Sequence, residues 1–111
     1  MNPRSRYDEI ADDLAARDPN VELSQMMGMP CIKAGGKMVI GYERTGEMVF
    51  KLPDEAAHEQ ALGLDGAKLF DPSGKGKPFK EWVQVPYAHE SEWPRLADTA
   101  LQALRSSRSG T

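Results

Sequence analysis

Residues 37–52, Lys-Met-Val-Ile-Gly-Tyr-Glu-Arg-Thr-Gly-Glu-Met-Val-Phe-Lys-Leu, decide the fold. Two β-prone runs are separated by Arg44, Thr45 and Gly46, the composition of a hairpin loop. A three-residue loop with Gly46 in the left-handed conformation pairs Glu43 with Glu47. Tyr42 then stands opposite Met48, Ile40 opposite Phe50 and Met38 opposite Leu52, and these six side chains share one face. A four-residue loop would divide them between faces, because a one-residue slip turns every side chain over. The Gly46 loop is therefore expected. It leaves Lys37, Val39, Gly41, Glu47, Val49 and Lys51 on the opposite face, a mixed surface suited to water or a partner.

Upstream, Val21 to Ala34 is β-tolerant at both ends but interrupted by Gly28 and Pro30. One edge strand, bulged or bent near Gly28 to Pro30, accommodates both interruptions. Gly35-Gly36 then supplies a tight turn into the hairpin, setting Cys31 opposite Ile40 on the core side and Ile32 opposite Val39 on the other. Earlier still, Tyr7, Ile10, Ala11, Leu14 and Ala15 recur at helical spacing among Asp8, Glu9, Asp12 and Asp13. They predict an amphipathic helix from about Ser5 to Arg17, ended by Asp18-Pro19, whose acidic side faces solvent and carries no assigned function.

Downstream, Pro53-Asp54-Glu55 opens a short helix that Gly63 closes. Residues 67–70 read as a short strand, Asp71 to Pro78 as an open loop, and Phe79 to Val85 as a fifth strand ended by Pro86. Ser91 serves as a helix N-cap, with Pro94 in the first turn. Trp93, Leu96, Ala97, Ala100, Leu101 and Leu104 then form an apolar stripe. The order α-β-β-β-α-β-β-α predicts a two-layer α+β domain with an antiparallel five-stranded sheet, not a parallel βαβ fold. One domain over residues 1–105 and a disordered tail over 106–111 are expected.

A net charge of -3 offers no bulk attraction for polyanions, although a local basic patch can still provide one. The single cysteine, Cys31, excludes an internal disulfide and fits a reducing cytosol. The N-terminus lacks an apolar core behind its positive charges, and no long apolar run follows. A cytoplasmic, non-membrane protein is expected.

Lys75, Lys77 and Lys80 with Phe79 and Trp82 set phosphate-neutralising charges beside stacking surfaces, a pattern for nucleic acid. The plainer reading is a solvated loop followed by a strand whose aromatics pack. Neither Gly35-Gly36-Lys37 nor Gly74-Lys75-Gly76-Lys77 meets the phosphate-loop pattern. His89-Glu90 begins like a zinc-protease helix, but position 93 is Trp93, and His58 belongs to another helix, so no metal is expected. Cys31 on the core side of a strand reads as a buried hydrophobe in preference to a nucleophile, and no serine sits in a nucleophile elbow. No catalytic residue and no cofactor are expected. The remaining candidate is the second sheet face, where Ile32, Val39 and Val49 are flanked by Lys37, Lys51 and Glu47 as an apolar centre within a charged rim. A homodimer through that face is the simplest closed arrangement.

Met26-Met27-Gly28-Met29-Pro30 leading into Gly36-Lys37-Met38 is the first of several recognisable motifs. Met48-Val49-Phe50-Lys51-Leu52, Gly74-Lys75-Gly76-Lys77-Pro78 and Trp82-Val83-Gln84-Val85-Pro86 follow. With them the chain resembles the TfoX N-terminal-domain family, also called Sxy-like, from about Tyr7 to Leu104. The resemblance implies a two-layer α+β domain similar to YjbR-like proteins and secretion chaperones. It also implies an association with bacterial competence regulation, a role attached in the family to longer proteins with a second, C-terminal domain. It brings no catalytic or cofactor residues. The expected function is a small cytosolic regulatory or adaptor module acting by protein contact. The alternative is a nucleic-acid-associated regulator using Lys75, Lys77, Lys80 and Trp82.

Overall fold

The computed structural model describes residues 2–26, 28–72, 74–76 and 78–109, with side chains through residue 106. The chain runs α1 (Pro3–Arg17), β1 (Val21–Met26), β2 (Met29–Ala34), β3 (Lys37–Glu43), β4 (Glu47–Lys51), α2 (Glu55–Leu62), β5 (Lys68–Phe70) and β6 (Phe79–Val85). A 3-10 stretch (Tyr87–Glu92) and α3 (Trp93–Ser109) complete it. The strands form one antiparallel sheet in the order β1-β2-β3-β4-β6-β5.

The β3–β4 hairpin has the register that its loop dictates, pairing Glu43 with Glu47, Tyr42 with Met48 and Ile40 with Phe50. Gly46 adopts φ +94° and its N–H donates to Glu43 O at 2.8 Å, a left-handed closure that a side chain would strain.

Upstream of the hairpin there are two strands where one was expected, so the sheet has six strands and the order gains a β. Val21–Met26 and Met29–Ala34 pair around Gly28, whose φ is +82°. The physical reason is length. Fourteen extended residues would span about 46 Å, whereas the molecule is 32 Å in its greatest extent.

A second correction concerns the β2–β3 register. The Gly35-Gly36 turn pairs Ala34 with Lys37 and Lys33 with Met38, but Ile32 then pairs with Ile40 and Cys31 with Gly41. Val39 is the extra residue of a β-bulge, which lets Val39 and Ile40 both reach the helix side. Beyond the bulge every face assignment is exchanged. Ile32 and Val39 enter the core at 0% and 1% exposure, while Cys31 and Met38 move to the opposite face.

All three helices pack on one side of the sheet. Tyr7, Ile10 and Leu14 of α1, Ala61 of α2, and Trp93, Leu96 and Leu101 of α3 close on Ile32, Ile40, Met48, Phe50, Val83 and Val85. Asn2 caps α1 by accepting from Ser5 N at 2.8 Å, with Pro3 in the first turn, so this helix starts two residues before the expected Ser5. Asp54 caps α2 by accepting from Ala57 N at 3.0 Å, and Gly63 ends it as expected. Helix α3 starts at Trp93, behind the 3-10 stretch, without the expected Ser91 cap. It continues to Ser109, into the stretch expected as a tail; Gly110 and Thr111 lie outside the described residues. After Pro94 in its first turn no proline or glycine follows before Gly110, and each added residue gains one backbone hydrogen bond.

Candidate interaction face

With the helices gathered on one side, no helix among the described residues lies over the other side of the sheet. Its centre is Gly41, flanked in register by Cys31 on β2 and Val49 on β4. A Cβ at position 41 would lie 2.8 Å from both Met29 Cε and Met38 Cε and 2.9 Å from Val49 Cγ2. Two methionines therefore fold into the notch that glycine leaves, and Cys31 and Val49 are fully buried. Met26, opposite Met29 at the end of the β1–β2 hairpin, is 44% exposed. Unbranched thioether side chains of this kind repack readily around whatever covers them.

Toward β5 the face becomes polar and then aromatic. Gln84 pairs with Val49 in register, and its side-chain amide donates to Glu47 Oε1, satisfying a nearly buried group. Phe70 stands edge-on to Phe79 at a 6.0 Å centroid distance and is tilted against Trp82 at 6.3 Å.

On strands β2, β3 and β4 the charge on this face is sorted by end. Glu43 and Glu47 face each other at the loop end of the β3–β4 hairpin. Lys33 and Lys51 lie at the other end, two residues beyond Cys31 and Val49 on their strands. Thr45 Oγ1 donates to Glu47 Oε1 at 3.0 Å and Arg44 N to Glu43 Oε1 at 3.2 Å, yet none of the four charges is ion-paired among the described residues. The ion pairs among the described residues, such as Arg17–Asp98 at 3.3 Å, Arg6–Glu90 at 2.6 Å and Arg105–Asp18, join α1, the 3-10 stretch and α3.

The residues expected to form the interaction surface separate. Val49 and Lys51 are on the open face, Val49 beneath the methionines. Ile32 and Val39 are core residues, and Lys37 is exposed opposite Ala34 on the helix side. Met29 and Met38 hold the place assigned to Ile32 and Val39, beside Gly41, which is on the expected face. Only the bulge brings the methionines there, and no residue type marks it.

Of the basic cluster, Lys75 and Lys80 are exposed, Trp82 is half-buried against Phe70, and Lys77 lies outside the described residues. Phe79, 52% exposed, is the accessible ring. The Asp71 carboxylate shapes this loop by accepting from Gly74 N at 3.1 Å and Gly76 N at 2.9 Å.

The histidines are engaged with backbone. His58 Nδ1 is 3.1 Å from Leu52 O and His89 Nε2 is 2.7 Å from Asp65 O. Among the described residues no group of three His, Cys, Asp or Glu side chains is placed to hold a metal ion. Burial pushes the Cys31 thiol above its ordinary pKa, which disfavours the thiolate that nucleophilic chemistry requires. Among the described residues no helix is long and apolar enough to cross a membrane. No family model, curated protein or solved structure matches the chain.

Proposed function

We propose that this chain is a small cytosolic regulatory or adaptor module of the TfoX N-terminal type, acting by protein contact through the open face of its sheet and without catalysis of its own. The observation that carries this reading is the separation of the two sheet faces. One is closed by three helices, while the other presents methionines over an apolar centre within charges that have no ion-pair partner among the described residues. An apolar centre with a charged rim is the composition of a protein interface, and methionine suits a surface that must adapt to its partner.

The test is capture of partners from cytosolic extract on immobilised protein, with and without nuclease, with Met38→Glu as the control. Met38 lies over Gly41 on the open face, so this change alters the surface and spares the helix-covered core. A protein retained despite nuclease and lost with Met38→Glu supports the reading. Equal retention by both forms overturns it.

A second reading rests on Phe79, an exposed aromatic on the same strand as exposed Lys80 and close to the loop of Lys75. It makes the chain a nucleic-acid-associated regulator whose bases stack on Phe79. Affinity for single-stranded nucleic acid must then fall steeply with added salt. Salt-independent binding, or none, removes it.

A further inference from the structure

The sorting of charge on the open face names an occupant. We infer that a second copy of this chain docks there, sheet face to sheet face, about a twofold axis that runs across the strands through Gly41 and Val49. This inference rests on the protein-contact reading above and adds the identity and orientation of the partner.

The steps are geometric. Glu47 and Lys51 lie on the same strand, equally far from Val49 in opposite directions. A twofold axis across the strands at Val49 reverses strand direction, and so brings Glu47 of one copy over Lys51 of the other, and the reverse. Glu43 of one copy comes over the far end of β3 in the second, between the strands that carry Lys33 and Lys51. A twofold axis along the strands would instead bring acid onto acid and lysine onto lysine, which is repulsive. The face is thus complementary to itself in one orientation only, as an isologous interface requires. Glu22, beside Lys33 on edge strand β1, falls opposite Met26 of the second copy. Lys68, in register with Gln84 and so in the row of the axis, lies on edge strand β5 at the exposed margin of the face.

Six strands at about 4.8 Å spacing and five residues each at about 3.3 Å give a face of about 24 by 17 Å. Two such faces bury about 800 Å², the size of a weak, transient interface, so the dimer is expected only at high protein concentration.

Sedimentation equilibrium from about 1 to 500 μM protein, in low and high salt, tests this. The wild-type chain should show a monomer–dimer equilibrium that weakens with salt, because the paired charges sit at the rim. Glu47→Lys alone and Lys51→Glu alone should each weaken dimerisation at least about tenfold, since each creates two like-charge contacts per dimer. Mixing the two variants should restore a heterodimer, because each contact is then again between opposite charges. Glu43→Lys and Lys33→Glu serve as a second pair, and circular dichroism checks that every variant is folded. A wild-type chain monomeric throughout overturns the inference, as does a single variant that still dimerises. Monomeric variants whose mixture stays monomeric overturn the axis. A monomeric wild type leaves the protein-contact reading standing, since that one fails separately, when Met38→Glu retains the same partners as wild type.

Discussion

Ile32→Ala tests the bulge on which every face assignment depends. Ile32 is fully buried and pairs with Ile40 beneath the helices. The substitution removes three carbons, about 2.4 kcal/mol at about 0.8 kcal/mol each. The cavity left under rigid helices raises the cost to about 3–4 kcal/mol. Leu23, its register partner on edge strand β1, points to the same side but is 46% exposed. Leu23→Ala should therefore cost about 1 kcal/mol or less. At about 4–8 °C per kcal/mol for a domain of this size, Ile32→Ala lowers Tm by roughly 12–32 °C and Leu23→Ala by less than about 8 °C. Urea unfolding followed through the emission of fully buried Trp93, with circular dichroism in parallel, measures both. Without the bulge Ile32 would lie on the open face, and its truncation would cost no more than that of Leu23. A loss below about 1 kcal/mol for Ile32→Ala would falsify the register. Val39→Glu should unfold the protein outright, because it puts an unpaired carboxylate into the same core.

Gly46→Ala should cost about 1–2 kcal/mol in thermal or urea unfolding, since alanine at φ +94° is strained; an unchanged midpoint would mean that the loop relaxes without penalty. Asp54→Ala removes the acceptor for Ala57 N and should cost about 1 kcal/mol, whereas Asp54→Asn should restore most of it. Cys31 should react with a chromogenic disulfide reagent at pH 8 at least about a hundredfold more slowly in the folded chain than in urea, because labelling must await opening; equal rates would place the thiol at the surface. Burial also holds the Tyr7 hydroxyl well above its usual pKa. Above pH of about 10 the unfolded chain therefore releases this proton first, and stability that is complete below that pH declines as pH rises. Cys31, raised by the same cause, adds a slope of the same sign from about pH 8.5. Tyr7→Phe should flatten the alkaline limb of a Tm-against-pH curve, and an unaltered limb would remove Tyr7 as its source.

Local chemistry made much of this fold legible. Arg44, Thr45 and Gly46 specify their hairpin because only glycine accepts the left-handed angle there without strain, and the flanking residues must follow that register. Asp54 and Gly63 mark the ends of α2 through the backbone groups that they satisfy or release. The apolar stripe from Trp93 to Leu101 is a helical period that only a helix can bury on one side. Each of these signals acts within a few residues.

The composition of the open face was not legible, because it is set across strands. Pairing periodicity alone put Ile32 and Val39 beside Val49, and a single extra residue at Val39 exchanged the faces of everything beyond it. No residue type demands that bulge. The helix side favours it, since an unbroken ladder from the Gly35-Gly36 turn would set the charged Lys33 there, whereas the bulge places Ile32, Ala34, Val39 and Ile40 in the core. Gly28 likewise divides one apolar run into two strands because the folded molecule has no room for the longer one. The sequence by itself determined the turns at Gly35-Gly36 and Gly46 and which stretches are helix or strand, for those choices depend on neighbours along the chain. The tertiary structure alone decided which side chains line the open face, because that depends on which residues the packed helices draw to the other side.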